Sequence, residues 1–306
     1  MHPVYVIGCG AVGIPLVACI AGTGREAVGV RLSEPQASEE TTTVDLTIEG
    51  RSSQVPIRTI GISRLTSISG TIVVTTKAHT NRALAMQLRE ICPRSPIVVL
   101  QNGLGVERPF TELGFDGVYR CVLYVTAEGN LTAGIKLRAV APSPVGVVKG
   151  TEQQLAGCVA AINSEQFPFR MEADIGRESW TKTIINSVFN SICPLLDADN
   201  GLFSRDAEAS QLAHEVVTEG VALANRVGIP LEVETLMGRV YQISSTSNQA
   251  ISTLQDLRAG RETEIEFINL ELARIAASLE SPLAVPRIES LGRLIALKSK
   301  LGRHGV

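Results

Sequence analysis

The segment from Pro3 to Leu32 constrains this chain more than any other. Pro3 to Ile7 is a short apolar run closed by Gly8. Ala11 to Ala21 follows with the length and composition of a helix and closes at Gly22 or Gly24, and Ala27 to Leu32 is a second apolar run. A strand, a tight turn, a helix and a strand make a βαβ unit, whose crossover forces the two strands to be parallel. The unit therefore predicts an open α/β sheet. Its turn is Gly8, Cys9, Gly10, Ala11, Val12 and Gly13, a GxGxxG placed after a strand and before a helix. In that context the first glycine permits the turn and the second lets the backbone approach a pyrophosphate. The third lets the helix pack close to its strand, with its N-terminal amides toward the anion. A glycine-rich turn without a ligand is the plainer alternative, and the βαβ context weighs against it.

Further buried strands are expected at Thr71 to Thr75 and Ile97 to Leu100, with a helix at Thr80 to Ile91 between them. Thr43 to Glu49 and Val55 to Ile60 alternate around Arg51 and Ser52 like a hairpin. Gly117 to Val148 is rich in Val, Tyr and Thr, with turns at Glu128-Gly129-Asn130 and Ala141-Pro142, and should add antiparallel strands. After Phe169 only helical periodicity appears, from Asp174 to Leu297, broken near Gly201, Gly228-Ile229-Pro230 and Gly260. The fold class expected is α/β: an N-terminal Rossmann-like dinucleotide-binding domain over 1–172 with added antiparallel strands, then an all-α domain over 173–306. No linker tract separates the two, so a ligand cleft between them is expected.

At 306 residues the chain can fill two domains. Charged residues are 19% and the net charge is −3, so there is no basic excess to neutralise a nucleic-acid backbone. Six cysteines without a CxxC pair and four histidines without ligand spacing predict no metal site and fit reduced thiols in a cytoplasmic protein. The apolar stretch Ala11 to Ala21 is too short to span a bilayer, and no membrane association is expected. The oligomeric state is open, a homodimer being one option.

The acidic residue that grips a ribose 2′-hydroxyl is missing from the end of the second strand, where Arg31-Leu32-Ser33 stands. Arg31 and Ser33 alternate to the same side, and a guanidinium with a hydroxyl suits a 2′-phosphate. The cofactor expected is NADPH. Arg31 also reads as a solvated strand-end residue. Lys77 ends another strand on this edge and could meet the adenosine phosphate end of the cofactor, or simply be exposed. Asn102, in Gln101-Asn102-Gly103-Leu104-Gly105, lies at the carboxyl end of a predicted parallel strand, where open α/β sheets bind ligands, although Asn-Gly is also a common turn.

In the second half, Lys182, Asn186 and Asn190 fall at i, i+4 and i+8, along one helical stripe. The stripe reads as the wet side of an amphipathic helix or as a site for an anionic, carbonyl-bearing ligand; two Asn, poor helix formers, favour the site. Thr263 reads as an N-cap with Glu264 in the first turn of a following helix, a place the dipole alone would favour.

Taken in order, these segments resemble the ketopantoate reductase (2-dehydropantoate 2-reductase) family. The shared stations are GxGxxG at Gly8 to Gly13, Lys77-Ala78, Asn102-Gly103-Leu104-Gly105, Lys182/Asn186/Asn190, Ser252-Thr253-Leu254-Gln255-Asp256 and Thr263-Glu264-Ile265. The resemblance implies NADPH-dependent reduction of a small 2-oxo acid. It casts Lys182 as general acid and Glu264 as its partner near the cofactor ribose. It also casts Asn102, Asn186, Asn190 and Ser252 as the groups holding substrate. Many family members resemble Asn-x-x-Ser/Thr-Ala-Leu after the second helix Asn, whereas here Asn190 is followed by Ser191-Ile192-Cys193-Pro194, so the helix should end or kink near Cys193. That departure leaves open which 2-oxo acid is reduced. Two rivals remain, a β-hydroxyacid dehydrogenase and a non-catalytic NADPH-binding protein. Ser252-x-x-Gln-Asp with Thr263-Glu264-Ile265 weighs against the first, and retention of Lys182 and Glu264 against the second.

Overall fold

The computed structural model describes residues 2–130 and 134–304. They form two compact units, residues 1–101 with 106–175, and residues 102–105 with 176–306.

The first unit is an α/β layer on one sheet. Its strands are β1 (Val4–Ile7), β2 (Ala27–Arg31), β3 (Glu40–Ile48), β4 (Arg51–Gly61), β5 (Thr71–Val74), β6 (Ile97–Val99), β7 (Val118–Cys121), β8 (Val125–Asn130), β9 (Gly134–Ala139), β10 (Ser143–Lys149) and β11 (Phe169–Met171). Its helices are α1 (Gly13–Ala21), α2 (Asn81–Ile91), α3 (Arg108–Glu112) and α4 (Glu152–Ile162). The strand order is β11-β10-β7-β6-β5-β1-β2-β4-β3-β9-β8. β1 pairs in parallel with both β2 and β5, as the βαβ pattern requires. Both faces of these central strands are covered, which is why Val6, Ile7, Val30, Ile72, Val73 and Val74 are all buried. Each such side chain removed from water stabilises the fold by about 1.5–3 kcal/mol.

Several local expectations need correction. The helix predicted from Ala11 begins at Gly13, because Gly10 to Val12 form the turn itself. Pro15 then sits in the first helical turn, the part of a helix where proline is tolerated. The strands within Gly117 to Val148 are not uniformly antiparallel, since β7 lies parallel to β6 and β9 parallel to β3, while β8–β9 and β7–β10 are antiparallel. The turn expected at Glu128-Gly129-Asn130 is strand up to Asn130, and 131–133 lie outside the described residues. A late strand, β11, pairs with β10.

The described residues of the second unit are helical apart from loops: α5 (Ile175–Leu195), α6 (Leu202–Arg205), α7 (Ala207–Arg226), α8 (Val233–Thr246), α9 (Ser252–Arg258), α10 (Asn269–Ser278) and α11 (Pro286–His304). Ile184, Val188, Phe189, Val216, Val217, Leu272 and Ile288 fill its core, and Leu104 from the short 102–105 stretch joins them. The helix end expected near Cys193 falls at Leu195, one residue past Pro194. Pro194 falls in the last turn, so it forfeits a single backbone bond, and its own carbonyl accepts from Lys298 Nζ at 2.7 Å. Thr263 does not cap a helix. Glu264 precedes a single 3₁₀ turn, Ile265–Phe267, and α10 starts only at Asn269.

Candidate active site

In the first unit the glycine turn is built around two contacts that exclude side chains. A Cβ on Gly13 would lie 1.8 Å from the Gly8 carbonyl oxygen, and one on Gly8, whose φ is +115°, would lie 2.8 Å from Thr75 Oγ1. Thr75 Oγ1 in turn donates to the carbonyls of Ile7 and Gly8 at 3.1 and 3.0 Å, tying the β5 end to the turn. Gly10 differs, since a Cβ there would meet nothing within 4 Å. The glycine that a dinucleotide needs for close approach is thus the one whose missing side chain leaves open space. α1 has no side-chain cap at Val12 and no acidic residue in its first turn, so its N-terminal amides present positive charge to an anion. Burial raises the Cys9 thiol to about 11, with Arg31 opposing and Glu34 adding to the shift, so Cys9 is neutral at physiological pH and places no anion at the turn. These features fit a bound dinucleotide.

Arg31, Ser33 and Lys77 stand on the same carboxyl edge. Ser33 is exposed and Lys77 half-buried, with the Lys77 carbonyl accepting from the hydroxyl of Thr80 at 2.8 Å. Arg31 is engaged by carboxylates, donating to Glu34 and Glu40, and to Thr59 Oγ1 at 2.7 Å. Sequence reading missed these acids, and it also missed the amides that brace this edge. Gln101 Nε2 donates to the Thr76 carbonyl at 2.6 Å and to Asn81 Oδ1 at 2.7 Å, while Asn81 Nδ2 donates to the Val106 carbonyl at 2.7 Å. Both residues are buried, and the reciprocal amides lock the loops after β5 and β6 together.

In the second unit α5 carries Lys182, Asn186 and Asn190 on one stripe, the first two half-buried and Asn190 buried. Asn190 Oδ1 accepts from Thr253 Oγ1 at 2.8 Å and from Ser252 Oγ at 3.4 Å. With its oxygen spoken for, the amide has Nδ2 to offer a ligand. The structure thus brings Asn190 and Ser252 together and adds Thr253, whose role the neighbouring Ser252 hides in the sequence. Thr253→Val should lower the melting temperature, because an accepting buried amide oxygen loses its best donor at about 1–3 kcal/mol, and Thr253→Ser should restore it. An unchanged melting temperature in the Val variant, measured by calorimetry, would show the bond to be idle. Asp256, the end of the Ser-x-x-Gln-Asp segment, is buried and paired with Arg261 at 2.9 Å, a structural brace for the loop leading to Glu264. Asn102 Nδ2 donates to Glu264 Oε2 at 3.4 Å. Their segments are stitched by Leu104 N–H to the Phe267 carbonyl at 2.8 Å, and Gly103 has φ +95° where a Cβ would meet that carbonyl at 2.2 Å. Only glycine fits there.

Comparison with known proteins matches residues 4–140 to the family described as ketopantoate reductase PanE/ApbA and residues 174–299 to its C-terminal part. The chain belongs to the ketopantoate reductase family. The 2-dehydropantoate 2-reductase of Pyrococcus horikoshii is 27% identical over 310 residues, covering 98% of each chain. That of Shigella flexneri is 26% identical over 300 residues, 96% of this chain and 94% of the relative. Two solved structures share the fold. The 2-dehydropantoate 2-reductase of Geobacter metallireducens has TM-score 0.85 at 19% identity, covering 96% of this chain and 99% of its own. D-mandelate dehydrogenase with NADH and anilino(oxo)acetate has TM-score 0.84 at 17% identity, covering 98% and 99%. As a ketopantoate reductase family member the chain is an oxidoreductase. Its described residues include no helix long and apolar enough to cross a membrane.

Proposed function

We propose that the protein reduces 2-dehydropantoate, or a related branched 2-oxo acid, to the 2-hydroxy acid with NADPH. The observation that carries this reading is the stripe on α5, where one ammonium and two amides share a face in a chain related along its length to 2-dehydropantoate 2-reductases. Bound NADPH supplies a hydride from its nicotinamide ring to the keto carbon. The chain's own groups do the rest. Lys182 stabilises the negative charge that develops on the former keto oxygen and gives it a proton, and Glu264 helps to hold that ammonium in place. Asn186, the Nδ2 of Asn190, Ser252 and Asn102 orient the carboxylate and the remaining polar atoms of the acid. The Gly8–Gly13 turn takes the pyrophosphate on open Gly10 and the amides of α1. Lys77 and Asn102 contribute further cofactor contacts. Arg31 and Ser33 receive the 2′-phosphate.

An NADPH-oxidation screen over branched and aromatic 2-oxo acids tests the reaction, and absence of turnover with every acid despite tight nucleotide binding would sink it. Cofactor choice has its own test. A charge-assisted bond to phosphate is worth about 1.5–3 kcal/mol, so Arg31→Ala should weaken NADPH binding roughly 10- to 100-fold and leave NADH binding nearly unchanged. Equal losses for both nucleotides would remove Arg31 from the 2′-phosphate. We expect a homodimer in solution, as a solved Staphylococcus aureus ketopantoate reductase is described as dimeric.

A further inference from the structure

We propose that Glu40 competes with the ribose 2′-phosphate for Arg31 and thereby sets how strongly the protein prefers NADPH to NADH. The inference rests on the NADPH reading above and adds a discriminating residue to it. Strand register brings Glu40 to this place. Gly29 of β2 lies opposite Thr59 of β4, and Thr59 lies opposite Glu40, the first residue of β3. Side chains at Gly29 and Arg31 share a face, since they are two apart on one strand. That face looks onto the glycine turn, because a Cβ on Gly29 would lie 3.0 Å from Cys9 Sγ and 3.2 Å from the Thr59 methyl. The Arg31 guanidinium is therefore beside the dinucleotide turn, and it is clasped there. Nη2 donates to Glu40 and to Thr59 Oγ1, Nη1 donates to Glu34 at 3.1 Å, and Nε is buried without a partner in the protein.

The electrostatics follow from that count of groups. One guanidinium faces two carboxylates, a local charge of −1, and a phosphate carrying nearly two negative charges enters only if a carboxylate leaves. The Arg31 side chain is 13% exposed, against 50% for Glu40 and 64% for Glu34, so the acids, not the Arg, are free to swing into solvent. Glu40 is the stronger competitor, since it shares Nη2 with buried Thr59 and receives a further bond from Thr42 Oγ1 at 3.4 Å. A ribose 2′-hydroxyl carries no charge and can donate to either carboxylate, so NADH meets no such penalty.

The test is fluorescence titration of the full-length protein with NADPH and with NADH, for the unmodified chain and for Glu40→Gln, Glu34→Gln and Arg31→Ala. Glu40→Gln keeps the shape and removes the charge. It should lower the Kd for NADPH roughly three- to tenfold and change that for NADH less than about twofold, with a smaller NADPH gain in Glu34→Gln. Both acids are exposed, so melting curves should be unchanged. If Arg31→Ala loses NADPH affinity but Glu40→Gln gains none, or gains equally for both nucleotides, the competition does not exist although the NADPH reading stands. If Arg31→Ala leaves the Kd for NADPH unchanged, the NADPH reading itself fails.

Discussion

Replacing Lys182 with Ala should lower kcat by about 10² to 10⁴ while NADPH still binds, because a positioned general acid contributes a factor of that size. Lys182 is half-buried on α5, and the Ala variant should fold, since Ala is at least as good a helix former as Lys. The loss belongs in turnover, as the alkoxide that forms on hydride transfer is then left to water. Lys182→Arg sharpens the point. A guanidinium keeps the charge but does not release its proton at neutral pH, so it should rescue little if proton donation is what matters and much if only charge does. The measurements are steady-state rates on the best 2-oxo acid, an NADPH titration and a melting curve. Retention by Lys182→Ala of more than about a third of kcat, with chemistry shown to be rate-limiting, removes Lys182 from the role of acid.

The glycine turn offers a second large effect, because two of its glycines are expected to fail differently. Gly13→Ala forces a methyl against the Gly8 carbonyl oxygen, where 1.8 Å cannot be tolerated without moving the backbone of β1 or α1. Overpacking of this kind costs about 1–3 kcal/mol, and the melting temperature should fall together with nucleotide affinity. Gly10→Ala puts its methyl into open space, so the melting temperature should hold while the Kd for NADPH rises roughly tenfold or more, since the methyl occupies the ground of the pyrophosphate. Calorimetry alongside titration separates the two. A Gly10→Ala protein that binds NADPH normally would mean that the turn is not where the pyrophosphate lies.

How much of this was visible in the sequence depended on how local the physics is. The β1 to β2 segment was readable because its apolar runs, its glycines and its crossover all lie within one stretch of chain, and the α/β class followed from it. The stripe on α5 was readable because helical spacing is local too. Pro194 was readable as a helix end for the same reason, since α5 stops at Leu195. An error came where one residue was allowed to outvote its setting. Thr263 looked like a cap, yet it is buried and followed by a 3₁₀ turn. Two helices, α3 and α4, were overlooked, the second despite a local signal, for Thr151 caps α4 by accepting from the Gln154 N–H, as the Thr-x-x-Gln spacing suggests. Glu40, the acidic partner of Arg31 more distant in sequence, had no such signal. Glu40 reaches it only through the pairing of β2 with β4 and of β4 with β3, and strand order is not written in any short window.

The four residues 102–105 give the chain an unusual pedigree of parts. They are encoded in the first half but fold with the second unit, contributing Leu104 to its core and the Gly103 approach to Phe267. No single cut of the polypeptide therefore yields both units whole. During synthesis Leu104 is made long before the core that shelters it, whose last member is Ile288, so this apolar loop waits through roughly 180 residues of nascent chain, on the order of 10 s or more at about 5–20 residues per second. A gene fusion or domain shuffle that moved the helical unit alone would leave behind one of its own core side chains. The two units can be expected to travel through evolution as one.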